Sequence, residues 1–173
     1  MPDLVALHGE VLAQVDRLLA IAEDPGDFPA AQTDVSGWSP LLHAEHMSKA
    51  DAASLHQLEA ALERGSKGEA GPRINLAGRA VLALGWIPRG VGKAPAPSRP
   101  VEADRGEVAE ALRAVRGRID ALRGRWDEIA GSRGRASHPI FGGLDPPQWL
   151  RFLWIHHHHH LKIVRDIEKA WRG

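Results

Sequence analysis

Apolar positions recur along this chain at steps of three and four, which is the period of helices that bury one face. Leu4, Leu7, Val11, Val15, Leu18 and Ala22 predict a first helix over residues 3–22. Glu23-Asp-Pro-Gly-Asp-Phe-Pro should stop it, because each proline removes a backbone donor. Trp38-Ser39-Pro40 predicts the start of a second helix, with Ser39 as N-cap and Pro40 at a position where its missing N–H costs nothing. That helix should run to about Arg64, ahead of Gly65 and Gly68. The most regular pattern is Val108, Leu112, Val115, Ile119, Leu122, Trp126 and Ile129, a third helix with Arg and Glu on much of its other face. A last helix follows over 148–171, with the seam Trp149, Leu153, His156, His160, Ile163, Ile167 and Trp171.

Residues 65–103 are less regular. Ile74 to Trp86 is apolar enough for a short buried helix, and Pro88 to Pro100 reads as an aperiodic connector. A connection this long exceeds what neighbouring antiparallel helices need, so it allows a crossover that leaves helices two and three parallel. Four amphipathic helices with no convincing strand predict an all-α fold, a four-helix bundle within one domain spanning 1–173.

Composition narrows the function. Lys+Arg and Asp+Glu are 22 each, so no net charge recruits nucleic acid or a membrane surface. Cysteine is absent, which excludes a disulfide scaffold, a thiolate metal site and a cysteine nucleophile, and fits a reducing cytosol. The Met-Pro-Asp-Leu start lacks a signal-peptide pattern, and charges interrupt every apolar segment. A cytoplasmic protein is the expectation.

Histidine carries the candidate chemistry. The run His156 to His160 lies inside an amphipathic helix rather than at a solvated end, so it reads as native sequence and not as a tag. His156 and His160, four apart on the seam, point the same way and can grip one ion. In helix two, steps from Leu42 through His46 to Ala50 and Ala53 put His46 in the apolar seam. Three neutral imidazoles, His46, His156 and His160, match a ligand set that leaves a position for water or substrate. A lone buried histidine is more often a hydrogen-bonded core residue, but two in one seam and a third in another change that balance. His157 and His158 read as solvated or supporting residues, His159 as ambiguous, and His8 and His56 as surface or helix-edge residues. His43 could share the side of His46.

Trp38-Ser39 with His46 eight residues after the tryptophan, and the late His156-x-x-His159-His160-Leu161, resemble the DinB-like metal-binding four-helix bundles. The loop His138-Pro-Ile-Phe-Gly resembles one branch of that superfamily, made largely of uncharacterised bacterial proteins. The resemblance spans nearly the whole chain. It implies an up-down-down-up bundle in which His46, His156 and His160 hold a divalent metal. It also implies, for some relatives, transferase or isomerase activity with low-molecular-weight thiols. The five-histidine run departs from the pattern by offering His159 as a substitute ligand. Dimerisation is common among such relatives, and the exposed seams here neither require nor exclude it.

Three readings follow from these residues, one of them a plain helical interaction module in which the histidines hold no metal. In a metal-dependent enzyme, a thiol transferase or a hydrolase, the ion would activate a water or a substrate thiol, and an open position would face a pocket lined by tryptophans such as Trp38, Trp149 or Trp154. In a non-catalytic metal- or ligand-binding bundle, His159 or His43 would close the site. Nitrogen ligands suit zinc, nickel, iron or copper without choosing among them. Glu45 and Asp51 lie near the site on helix two without a clear inward face, so neither is assigned as general base. His138 either reaches the site mouth or shapes the turn, with Phe141 packed beneath it.

Overall fold

The computed structural model describes residues 3–24, 34–90, 93–101 and 104–173, and these are mostly helical. The stop between the first two helices lies largely outside the described residues. Among those residues there are six helices: α1 (Leu4–Glu23), α2 (Pro40–Ser66), α3 (Leu76–Leu84), α4 (Arg105–Asp120), α5 (Trp126–Gly131) and α6 (Pro146–Arg172).

Local chemistry sets the ends of these helices. Asp3 caps α1, its carboxylate accepting from Val5 N at 2.9 Å. Ser39 caps α2 through Leu42 N at 3.2 Å, with Pro40 in the first turn as the dipeptide predicts. Asp145 and Gln148 form a reciprocal capping box, so α6 begins at Pro146, two residues before the sequence pattern suggests.

The long helices enclose the core. α1 packs along α4 and α6, and α2 packs along the same two. The core joins Val11, Val15, Leu58, Ile119, Leu150 and Leu153, all fully buried. A second cluster around Leu18, Met47, Leu112 and Val164 continues it toward the other end.

Several expectations change. The single third helix is two, because residues 121–125 turn between α4 and α5 around Gly124 at φ 83°. A two-stranded antiparallel hairpin, β1 (Ala136–His138) and β2 (Gly142–Leu144), occupies the loop where no strand was expected. Three-residue strands are too short to show an alternating pattern. The apolar α3 exists, but only Gly78 on it is buried and Leu76 and Leu84 are exposed. Trp171 also lies outside the core, since α6 is exposed from Lys169 onward.

Close backbone approach explains one glycine. A Cβ on Gly134 would collide with Ala61 O and Gly65 N, so only glycine lets the segment before β1 cross the end of α2. That crossing helps set the hairpin and His138 beside the helices.

Candidate metal centre

The histidines of α2 and α6 meet because these helices pack side by side. His156 Nε2 lies 3.4 Å from His46 Nε2 and 3.1 Å from His160 Nε2. One ligand nitrogen from each of the three lies within 4.8 Å of the others. Two imidazoles on a tetrahedral ion with metal–nitrogen bonds of about 2.0–2.1 Å stand about 3.3 Å apart. The donor set and its spacing therefore fit a divalent ion.

The outer nitrogens decide which ring atoms are free. His46 Nδ1 donates to Ser98 O at 2.6 Å, and since a carbonyl only accepts, the neutral ring leaves Nε2 as a bare lone pair. Ser98 ends a short 3-10 turn, Ala96–Ser98, within the proline-rich connector. The connector thus orients a candidate ligand. His160 Nδ1 and His43 Nδ1 are 2.9 Å apart, and His43 Nε2 is 3.0 Å from Ser36 Oγ. The tautomer in which His160 donates to His43, and His43 to Ser36, frees His160 Nε2 for an ion.

His156 completes the set differently. Its Nδ1 is buried with no partner, which suits a metal-free tautomer carrying hydrogen on Nε2, shared toward His46 and His160. Ligation at Nε2 moves that hydrogen to an unpartnered Nδ1, so His156 carries a desolvation cost that the other two avoid.

Burial disfavours the charged form of all three candidate ligands. Burial, and then the neighbouring imidazoles, push His156 and His160 well below the usual histidine range. Burial also lowers His46, partly opposed by its bond to Ser98 and by the charges of Asp51 and Glu45. Neutral imidazole is the form that binds metal.

A cavity of about 570 Å³ opens onto these rings, within the size range of small-molecule sites. Trp38 lies over the group, with ring centroids 5.2 Å from His46 and 6.2 Å from His160, stacked on the latter. Phe152 stacks on His156 at 5.3 Å.

With this geometry in place, comparison adds one likeness. A family described as "Protein of unknown function (DUF1569)" matches residues 93–167. The match takes in His138, His156 and His160 but stops short of α2 and His46. Comparison with curated proteins and with solved structures gave no match.

The remaining sequence candidates divide. His43 and His159 stand beside the centre with Nδ1 already engaged, His159 donating to Ile87 O at 3.0 Å. His157, expected to be solvated or supporting, is wholly buried and donates from Nε2 to Asp51 Oδ2 at 2.7 Å, with Asp51 equally buried. α6 is flanked by α1 and α2, so its buried face is wider than one seam and includes Leu150, Leu153, His157, His160, Val164 and Ile167. That second run also steps by three and four, a signal present in the sequence but hidden by the first seam. His8, expected near the surface, is buried and donates to Ile119 O at 2.9 Å. His158 and His56 are exposed.

Trp38 and Trp149 line the cavity but Trp154 does not. Trp154 instead donates to Glu10 at 2.5 Å, beneath Arg151. Glu45 is buried against Lys49 and Val101 N, and neither it nor Asp51 reaches the cavity. Among the described residues no helix is long and apolar enough to cross a membrane.

Proposed function

We propose that this chain is a divalent-metal-dependent enzyme of the DinB-like type that acts on a small molecule, with His46, His156 and His160 as metal ligands and a low-molecular-weight thiol as the activated group. The observation that carries the reading is the convergence of three ligand nitrogens within 4.8 Å at the wall of a cavity. The same proposal arranges α1, α2, α4 and α6 as an up-down-down-up bundle, and places the enzyme in the cytoplasm, where thiols stay reduced.

A bound divalent ion would supply Lewis acidity, lowering the pKa of a thiol or water at its open position. The chain's residues do the rest. His46 is oriented by Ser98 and His160 by His43, so both rings keep their lone pairs aimed at one point. Trp38 and Phe152 wall that point with aromatic surface and limit water.

The chain has no cysteine, so the sulfur nucleophile comes from a substrate. No aspartate or glutamate among the described residues lines the cavity to act as general base, so the proton of the activated thiol passes to solvent. In the transfer, a sulfur–carbon bond forms as the leaving group departs from an electrophilic carbon. Both ring nitrogens of His43 are engaged, by His160 and Ser36, and the close group of ligand nitrogens holds three histidines without His159, which favours this open arrangement over a closed, non-catalytic site.

The test is thiol consumption with a panel of cellular thiols and an electrophilic acceptor. Metal-loaded protein should outpace both metal-stripped protein and His160→Ala. Equal rates in all three would remove the catalytic reading.

A further inference from the structure

The charged lining of the cavity has one sign. Lys49, Arg89 and Lys93 line it and no carboxylate among the described residues does, in a chain whose acidic and basic residues balance at 22 each. Glu45 and Asp166 pair with Lys49 and Arg89 from outside the lining, the latter at 2.5 Å. Lys93 has no carboxylate partner among the described residues. A cleft lined by one sign of charge concentrates the field and draws the opposite charge.

His138 adds a donor of fixed direction. Its Nδ1 accepts from Ile140 N at 3.1 Å and Phe141 N at 3.2 Å, which leaves the ring hydrogen on Nε2. Stacking on Phe141 at 4.4 Å and an edge contact with Phe152 at 4.6 Å clamp the ring at the cavity wall. Burial lowers its pKa to about 4, so the ring stays neutral at physiological pH. His43, His46 and His159 all commit Nδ1 to protein partners. His138 Nε2–H has no acceptor among the described residues, both of its hydrogen bonds being made at Nδ1.

We infer that the cavity takes an organic anion, a small carboxylic acid with an apolar body, and that His138 Nε2–H donates to its carboxylate while the body lies against Trp38 and Phe152. This names the substrate class of the site proposed above and rests on that reading in treating the cavity as the substrate's seat. The basic lining supplies the field, His138 supplies the directed hydrogen bond, and the aromatic wall supplies apolar contact.

The test uses the full chain stripped of metal and titrated calorimetrically with 1-naphthylacetate and its neutral amide. The acid should bind at least about tenfold more tightly, since hydrogen bonds and fields acting on a charge are the stronger ones. His138→Asn keeps the turn, because an asparagine side-chain oxygen accepts the same two backbone N–H groups, but it removes the Nε2 donor. It should weaken the acid about fivefold to tenfold, and the amide less, with melting temperature and metal uptake unchanged. Lys93→Gln should weaken the acid and spare the amide, and it tests the inference independently of the hairpin. Equal affinity for acid and amide, no binding of the acid, or an undiminished acid affinity in both variants would overturn it. Metal uptake on the same preparations separates the two ideas. Acid preference without metal uptake removes the metal reading alone, and metal uptake without acid preference removes this inference alone.

Discussion

His157 donates to Asp51 across α2 and α6 at 2.7 Å, and both side chains are wholly buried. The pair sits one residue from His156 and just over one turn beyond His46, so it ties together the two helices that carry the three candidate ligands. Asp51→Ala should cost about 1–3 kcal/mol in urea unfolding, because it leaves the His157 Nε2–H buried without its acceptor. Replacing both by leucine should recover much of that loss, since well-packed apolar residues often match a buried polar pair. An Asp51→Ala variant as stable as the parent would show that the pair does not hold the two helices together.

Protein purified without a nickel column should take up about one equivalent of divalent metal. His46→Ala, His156→Ala and His160→Ala should each abolish uptake, while His158→Ala, altering an exposed ring, should leave it intact. Elemental analysis of the series decides this, and unchanged metal in the three ligand variants would dismiss the site.

His43 touches the centre only through His160, at 2.9 Å. His43→Phe should therefore keep metal stoichiometry and weaken affinity by about 10–100-fold, the usual effect of removing a partner that orients a ligand. Competition against a chelator of known affinity measures the change. A full loss of stoichiometric binding would make His43 a ligand itself.

Stability of the metal-free protein should fall as pH drops below about 6.5. Burial, with neighbouring imidazoles and Arg89, lowers His43 to about 3, and burial lowers His138 to about 4. Between those values and the ordinary histidine pKa, the unfolded chain binds protons that the folded chain refuses, so acid favours unfolding. The melting temperature should decline from pH 6.5 toward pH 4.5, and less steeply in His138→Asn. A flat profile across that window would mean these rings protonate freely in the folded state.

Much of the helical layout was legible because an amphipathic helix advertises its buried face in its own period. The caps at Ser39-Pro40 and the seams of α1, α2 and α4 are local features, written within a turn or two of chain. The same periodicity placed His46, His156 and His160 on inward faces, and the structure brings those three together. It misplaced His157, because a helix flanked by neighbours on both sides buries more than one stripe, and a single seam cannot show how wide that face is. The hairpin around His138 was too short for any pattern to register.

From the sequence alone came the helices, the absence of a protein thiol and the identity of the three facing imidazoles, since each depends on residue type and local spacing. The tertiary structure decided which nitrogen each ring leaves free, through Ser98 for His46 and His43 for His160. It also decided that cations and His138 face the cavity while the nearby carboxylates turn away. The pairings of His46 with Ser98, His160 with His43 and Arg89 with Asp166 join residues more than fifty apart in the chain, where no local period can reach.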